Sequence, residues 1–587
     1  MILIMDKLNS MFHKLLPSIQ LIFSIIWLSN LAGTDAYFSI YVLIFAFSLF
    51  LQFTNYEKVA YSSKAGSWFV SVFSVLFSFA VLLANYPLFT AIGDPALISR
   101  STSILVNIIN SIFSFLGGIS VVYPILRFFF HQFPLCKSNP SEGCFRRGTP
   151  LVLFFALIAL NCVHLFLVEY PGNLTEDTFT QISEMVKGEY SNFNTFWHTM
   201  LFRTVLSVGY SLFNDINAAA AFFCVIQMFV LNAAFVYSLV TMYRMGVPKL
   251  YLAFSFCLFA FMPYNMALSI TIWKDVLFAA GCLLLISSWL RILKGVGKFS
   301  ADLIVFVLGS FLFILSRTNG WMIYLVCFAV QFFASRRNKR FLFTMCAMTV
   351  LGWFLLNPTL KLLNIPGGDL VESLSVPIQQ VSRVIVDECP LSEEEEALLS
   401  KIVDLEEVPL LYTNWLSDPM KVEVRSKAPE YLEQHIDAYA KLWIQLGMKY
   451  PASYVKAWVD QTKGYWNAGY GYALYSETVT ENPYGVEKTG GNNPVASLFR
   501  LYFGLSRHLI FFEPLHSIGL HVWIVILCFF LNMLKEREEW IVFLPVLLLV
   551  IGLWFGTPVY CSFRYVYPLF VSFPLLLSTA LYSYKNS

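Results

Sequence analysis

Long apolar runs, separated by short polar loops, follow one another along most of this 587-residue chain. A helix that crosses the hydrocarbon of a bilayer needs about 20 mainly apolar residues. Runs near that length predict about fourteen spans. They cover residues 15–33, 37–55, 68–91, 104–130, 149–168, 217–243, 250–268, 275–293, 302–316, 319–335, 341–357, 509–531, 540–556 and 562–582. The pattern therefore predicts an α-helical polytopic membrane protein.

The composition supports this class. Hydrophobic residues make up 57% of the chain and charged residues only 13%, whereas about a quarter of the residues in a soluble domain are charged. So few charges cannot cover the apolar surface in water, and lipid must solvate most of the chain. The net charge of +2 gives no support for a nucleic-acid partner.

Residues 358–508 differ from the rest because they contain 13 Lys and Arg and 20 Asp and Glu, a net charge of −7. This composition predicts a soluble, mostly helical domain. The chain then divides into four predicted regions. They are a four-helix membrane region (1–148), a membrane core (149–357) with a first outer loop (169–216), the soluble domain (358–508) and a three-helix membrane region (509–587).

The apolar stretch Phe196–Phe213 decides the predicted orientation. If it does not cross and the N-terminus is cytoplasmic, nearly every Lys and Arg cluster lies on the cytoplasmic side, as the positive-inside rule requires. If it crossed, every later loop would change sides. We therefore predict a re-entrant or interfacial helix on the outer face. Both termini are then cytoplasmic in a cell membrane, and residues 358–508 lie outside.

This topology brings several polar residues to the outer ends of the predicted spans. They are Asp177, His198, Arg203, Lys274, Asp275, Arg317, Asn319 and Arg564. Charge is expensive in a membrane, so such residues are usually paired or functional. Most also have a structural explanation. Asp177 could be a helix N-terminal acid, Lys274 a snorkelling lysine, the Arg317–Gly320 stretch a hairpin turn and Arg564 an interfacial anchor. Together, two acids and several bases could hold a lipid phosphate and deprotonate a hydroxyl.

A second candidate feature is the aromatic, glycine-rich stretch 464–472, which contains Tyr465 and Trp466. Exposed rings beside Asn and Gly suit stacking on a sugar. A membrane-interface belt of aromatic side chains explains the same composition. The sequence leaves both interpretations open.

Several short motifs carry a resemblance to a known family. They are Tyr170-Pro171-Gly172, Thr175-Glu176-Asp177, His198-Thr199, Thr271–Asp275, Arg317–Gly320, Pro377–Arg383, Gly464–Trp466 and Arg564–Pro568. Over roughly residues 150–580 the chain resembles an uncharacterised family of bacterial multi-pass proteins related to the GT-C glycosyltransferases. The resemblance implies a GT-C-like core. It also implies transfer of a sugar from a polyprenyl-phosphate carrier to a cell-surface glycan on the outer face, with an inverting outcome.

The resemblance also implies roles for the two acids. Asp177 would be the general base that takes a proton from the acceptor hydroxyl. Asp275 would either orient Lys274 or help to hold a divalent ion. No cofactor is required, because the leaving group is a phosphate, and a divalent metal is left open.

For the bases, the resemblance implies that Arg317 offsets charge on the leaving phosphate, with Lys274 and Arg564 as further phosphate contacts. The remaining candidates are assigned to substrate binding, and they are His198, Asn319, Tyr465 and Trp466. The implied partners are a polyprenyl-phosphate-linked sugar, a glycan or glycopolymer acceptor and membrane lipid.

Three other functions compete with this one. A polysaccharide or teichoic-acid polymerase or ligase would use similar outer-face residues but would move a whole glycan. A transporter or flippase of lipid-linked glycans predicts internal repeats and charges at the bilayer midplane. The sequence shows no repeat, and its charges lie at the ends of the spans. A purely structural membrane protein is the third alternative.

Overall fold

The computed structural model describes residues 2–584 except for eight internal gaps. The gaps are residues 33–36, 54–63, 87–99, 134–135, 139–147, 335–337, 428 and 473–480. Within the described ranges the secondary-structure elements are helices, apart from two three-residue strands. These strands, β1 (Cys136–Ser138) and β2 (Tyr582–Tyr584), pair in parallel.

Four helices occupy the first part of the described chain. They are α1 (Ile2–Leu31), α2 (Phe38–Phe53), α3 (Lys64–Ala84) and α4 (Arg100–Gln132). Helix α4 packs against the other three. Gly117 makes one of these contacts close, because a Cβ there would lie 2.0 Å from the Phe23 carbonyl oxygen of α1. Small residues allow membrane helices to approach in this way.

The membrane core contains ten helices. They are α5 (Thr149–Leu167), α6 (Glu176–Lys187), α7 (Phe196–Phe213), α8 (Ile216–Arg244), α9 (Lys249–Phe261), α10 (Pro263–Ser269), α11 (Lys274–Lys294), α12 (Phe299–Ser316), α13 (Thr318–Ala334) and α14 (Lys339–Leu356). Helix α11 lies at the centre and contacts α8, α12 and the last helix of the chain. Gly281 and Gly309 let α11 and α12 approach closely, since a Cβ on either would come within 3.0 Å of the other's carbonyl oxygen.

The polar segment folds into short helices around an apolar core of its own, which includes Val371, Val384 and Leu446. The helices are α15 (Pro358–Leu362), α16 (Leu370–Ser373), α17 (Ser375–Val386), α18 (Glu393–Leu399), α19 (Val408–Leu411), α20 (Asp418–Lys427), α21 (Pro429–Gln434), α22 (Ile436–Lys449) and α23 (Pro451–Thr462). A 3₁₀ turn, Lys463–Tyr465, follows α23.

The C-terminal part contains five more helices. They are α24 (Pro494–His508), α25 (Glu513–His516), α26 (Ile518–Leu534), α27 (Leu544–Gly556) and α28 (Phe563–Leu581), with a 3₁₀ helix Glu538–Phe543 before α27. The prediction that an apolar span begins at residue 509 is wrong. Helix α26 begins at Ile518, because the Ser517 side chain caps it by accepting a hydrogen bond from the Leu520 amide.

Nine of the described helices are long and apolar enough to cross a membrane, or ten if α9 and α10, bent by 51°, form one broken span. The nine are Gly66–Ala84, Ile104–Gln132, Thr149–Leu167, Ile216–Arg244, Lys274–Lys294, Phe299–Ser316, Lys339–Leu362, Glu538–Gly556 and Phe563–Leu581. Helix α7 is not among them. These helices show a multi-pass membrane protein.

Four other predicted spans coincide with shorter apolar helices: Pro17–Leu31, Phe38–Phe53, Thr318–Ala334 and Ile518–Leu534. The total of fourteen stays a prediction for that reason. Residues 33, 54–55, 87–91 and 335, at the ends of four predicted spans, lie outside the described residues.

The orientation predicts opposite accessibility for two positions. Helix α14 has 18 residues and is about 27 Å long. It separates Asn338, at its start, from the polar domain that follows its end. In a variant without native cysteines, we expect a membrane-impermeant maleimide added outside cells to label Ser400→Cys and to spare Asn338→Cys. Labelling of position 338 from outside would overturn the orientation.

Candidate functional site

The first loop of the membrane core is fixed by a tight turn after α5. Gly172 has a φ of +118°, a conformation that favours glycine. A Cβ at Gly172 would also lie 2.9 Å from the Ile270 carbonyl oxygen. The next residue joins the two segments, because the Asn173 amide donates to the Ile270 carbonyl and the Ile272 amide donates to the Asn173 carbonyl. The loop is thereby attached to the chain just before α11.

Side chains extend this attachment to the start of α6. Thr175 and Thr178 form a capping box at the N-terminus of this helix. The Thr178 hydroxyl donates to the Ile272 carbonyl at 2.9 Å, and the Trp273 indole N–H donates to the Thr175 hydroxyl at 2.6 Å. Asp177, in the first turn of α6, is therefore held beside the beginning of α11.

The non-helical stretch between α10 and α11 is held by one buried amide. Gln227 of α8 donates through Nε2 to the carbonyls of Leu268, Ser269 and Thr271. These contacts satisfy backbone groups that a broken helix leaves unpaired. Helix α11 consequently begins at Lys274, which lies next to the ends of α6, α12 and α28.

Five charged side chains meet at this end of the membrane helices, and we name them the charged cluster: Asp177, Lys274, Asp275, Arg317 and Arg564. Arg564 pairs with Asp177 at 2.5 Å between Nη1 and Oδ2. Arg317 pairs with Asp275 at 2.7 Å between Nη1 and Oδ1. The structure thus brings together five of the six charged residues that the sequence placed at this surface. The sixth, Arg203, donates instead to the Tyr190 hydroxyl at 2.7 Å.

Tyr565 lies between the two arginines of the charged cluster. The guanidinium carbons of Arg317 and Arg564 are 4.8 Å and 4.9 Å from its ring centroid, within the range of cation–π contacts. The Tyr565 hydroxyl also accepts a hydrogen bond from Arg564 at 3.1 Å. Sequence reasoning gave Tyr565 no role, although an aromatic residue directly after a charged residue at a helix start is a usable signal.

Lys274 does not pair with Asp275, contrary to one of the roles considered for it. Its Nζ donates to the Asn194 Oδ1 at 2.9 Å and to the Phe193 carbonyl at 3.4 Å. Among the described residues no carboxylate lies within ion-pair distance of Lys274. Three cations and two carboxylates leave the charged cluster with a net charge of +1.

The two carboxylates of the charged cluster differ in accessibility. The Asp177 side chain is 27% exposed, whereas that of Asp275 is only 2% exposed. Burial raises the pKa of Asp177, but Arg564 and Lys274 outweigh it and hold the pKa below its ordinary value. Asp177 is therefore a carboxylate at neutral pH, and it is the acid of the cluster that a substrate can reach.

His198 is buried behind the charged cluster. Its Nδ1 lies 3.0 Å from Gln181 Nε2, and its Nε2 has no hydrogen-bond partner in the described part of the chain. Burial lowers the pKa of His198 to about 3, helped by the positive charge of Lys274. His198 is therefore neutral at physiological pH and cannot serve as a cation for phosphate. Asn319 Oδ1 is also buried, again with no partner among the described residues.

Tyr465 and Trp466 are not exposed rings. Tyr465 is fully buried and Trp466 is 5% exposed. The Trp466 ring stacks on Trp458 with 5.6 Å between centroids, and its indole N–H donates to the Thr462 hydroxyl. The expectation of an exposed aromatic surface for sugar stacking is corrected here: the rings fill the space where the polar domain meets the membrane helices.

The Tyr465 hydroxyl holds the segment that leads into α28, which we name the 557–562 loop. It donates to the Val559 carbonyl and accepts from the Ser562 amide, each at 3.0 Å. Other contacts from the polar domain hold the same loop: Ser417 N to the Pro558 carbonyl, Gln461 Nε2 to the Thr557 carbonyl, and Tyr560 N to the Trp415 carbonyl. Arg564 follows two residues after this loop. The polar domain therefore sets the position of Arg564.

The donor set does not fit a divalent ion. Each carboxylate of the charged cluster is paired with an arginine. No group of three metal-ligating side chains is found in the ranges that the structure describes. No step proposed for the cluster uses a metal.

The helices and the charged cluster define a multi-pass membrane protein with an ionised site at one end of its spans. The chain belongs to a family of unknown function, DUF6020, which it matches over residues 187–587. That range contains Lys274, Asp275, Arg317 and Arg564 but not Asp177. No curated protein and no solved structure matches the chain.

The contacts of Tyr465 predict that its hydroxyl stabilises the fold. Tyr465→Phe keeps the ring but leaves a buried amide and carbonyl without that partner, which costs about 1–3 kcal/mol. We expect a lower thermal unfolding temperature for this variant in detergent. Tyr210→Phe is the control, since Tyr210 is 49% exposed. Equal unfolding temperatures for both variants and the wild type would contradict the role given to Tyr465.

Proposed function

We propose that the protein is a membrane glycosyltransferase that binds the phosphate of a polyprenyl-phosphate-linked sugar at the charged cluster. The observation that carries the proposal is the excess positive charge of the cluster. Lys274 lies there with no carboxylate partner among the residues that the structure describes, at the end of apolar helices. A cation in such a place is costly unless it binds an anion. A lipid phosphate supplies that anion together with a chain that stays in the membrane.

The arginines of the cluster support phosphate binding by their geometry. Arg317 uses Nη1 for Asp275, and its other N–H groups remain for a second acceptor. The planar guanidinium can bind two phosphate oxygens at once. Tyr565 holds Arg317 and Arg564 against its ring, which reduces the rotamer entropy that binding would cost.

The accessible acid, Asp177, takes the role of general base. It accepts the proton of the acceptor hydroxyl, whose oxygen forms a bond to the anomeric carbon of the sugar. The bond from that carbon to the phosphate oxygen breaks, and the lipid phosphate leaves with the electron pair. Because Arg564 pairs with Asp177 in the free protein, a phosphate that attracts Arg564 would strengthen the base when the donor is bound.

The proposal also includes the placement of the charged cluster and the polar domain relative to the membrane. A GT-C-like core with fourteen spans would place the charged cluster and the polar domain on the outer face of the cell membrane. The acceptor would then be a glycan or glycopolymer of the cell surface. The polar domain contacts the 557–562 loop, so an acceptor bound by the domain would lie next to Arg564.

Asp177→Asn tests the base. The amide keeps the volume but cannot accept the proton, and we expect a rate loss of about 10²-fold or more. The measurement is mass spectrometry of lipid extracts from a deletion strain that carries the variant, where a polyprenyl-phosphate sugar should accumulate. Glu176→Gln is the matched control, because Glu176 is the exposed neighbour in the same helical turn.

Two outcomes would count against Asp177. Normal lipid profiles in Asp177→Asn, with accumulation in Asp275→Asn, would exchange the roles of the two acids. If the lipid accumulated on only one side of the membrane while sugar transfer continued, the result would favour a transporter.

Arg317→Lys tests the phosphate contact. Lysine keeps the charge beside Asp275 but loses the planar group, so we expect binding of a polyprenyl phosphate to weaken by about 1–3 kcal/mol. Binding is measured in nanodiscs beside the wild-type protein. If Arg317 served only as a topology determinant, lysine would serve equally well. Unchanged affinity would therefore remove Arg317 from the site.

A further inference from the structure

The polar domain contains an apolar cavity that the proposed reaction does not use. Its volume is about 350 Å³, and none of the residues of the charged cluster lines it. One wall comes from Leu374 and from the α17 residues Pro377, Ile378, Val381 and Ile385. The opposite wall comes from α22, and both belong to the core of the polar domain.

The side chains that line the cavity offer water few hydrogen-bond partners. Three of these side chains carry polar groups, those of Ser382, Tyr439 and Trp443, and the groups of the last two are bonded within the protein. The Tyr439 hydroxyl donates to the Leu398 carbonyl, and the Trp443 indole N–H donates to Gln380 Oε1. A cavity with so few polar partners for water suits apolar ligands. Its volume lies within the range of small-molecule sites.

The cavity opens along an apolar face of α22. Trp443 lines the cavity and is also 36% exposed, which places it at the mouth. Ala440 lines the cavity and is exposed too. Ile444 and Met448, which are 52% and 73% exposed, continue the same helical face outward. This face gives a hydrocarbon chain a continuous surface to follow.

The membrane is the source of hydrocarbon nearest to this cavity. Helix α17, which forms one wall, also contacts the spanning helix α27. The end of α27 is joined to the polar domain, because the Trp458 indole N–H donates to the Trp554 carbonyl at 2.7 Å. The polar domain carries a net charge of −7, which disfavours an anionic headgroup near the mouth.

From these observations we propose that the cavity binds one hydrocarbon chain of a neutral or zwitterionic membrane lipid. The lining residues Ile378, Val381 and Trp443 contact the chain, and the headgroup stays outside beside α22. The site does not depend on the glycosyltransferase function, because the phosphate-binding residues are elsewhere.

The test uses the full-length protein in phosphatidylcholine nanodiscs that contain some phosphatidylcholine with a photoactivatable diazirine in its acyl chain. We expect crosslinks in the peptides covering residues 374–385 and 436–449, besides those in the spanning helices. Ala440→Phe, which fills the mouth, should reduce the crosslinks in these two peptides several-fold. Gln445→Phe puts the same ring on an exposed position of α22 that does not line the cavity and should leave them unchanged.

A second measurement keeps the proposal testable if Ala440→Phe does not fold. Phosphatidylcholine brominated in its acyl chains should quench the tryptophan fluorescence of the wild-type protein more than that of Trp443→Phe. Crosslinks confined to the spanning helices, or equal quenching in the two proteins, would overturn the proposal. Crosslinks that Ala440→Phe leaves unchanged would overturn it as well, and so would another protein found in place of the lipid at this face.

Discussion

The ion pair between Arg564 and Asp177 is the contact on which the site depends, because it joins the first loop of the membrane core to the last helix of the chain. Its partners are 387 residues apart in sequence. Asp177 is fixed by the first loop and by Trp273, while Arg564 lies in the first turn of the last helix. Each charge of this half-buried pair offsets the cost of burying the other. The pair therefore constrains α6, α11 and α28 to meet at one point.

The polar domain also constrains the position of Arg564. Its residues hold the 557–562 loop through both side chains and backbone. Any shift of the domain would move the start of α28 and with it Arg564. In the proposed enzyme, this mechanical connection gives a domain that recognises an acceptor a direct influence on the residue that pairs with the base.

The sequence predicted the class of the protein and all five members of the charged cluster, because both follow from the cost of placing apolar groups in water and charges in lipid. It also placed Arg203 with them, which the structure does not. Apolar runs need lipid, and charges at the ends of such runs need partners. The sequence could not predict which charged side chains form ion pairs with each other. Asp275 and Lys274 are adjacent, yet Asp275 pairs with Arg317, and Lys274 turns to Asn194. Adjacent residues on a helix point in different directions, so the choice of partner depends on how α11 and α12 pack. The burial of Trp466 was missed for a similar reason, since only tertiary contacts bring Trp458 against it.

The central claim is that the charged cluster binds a lipid by its phosphate. The most direct test compares the affinity of the wild-type protein in nanodiscs for a polyprenyl phosphate with its affinity for the polyprenol of the same chain length. The account predicts that the phosphate binds at least about tenfold more tightly, because charge-assisted hydrogen bonds from the cluster are each worth about 1.5–3 kcal/mol. Equal affinities for the phosphate and the alcohol would contradict it.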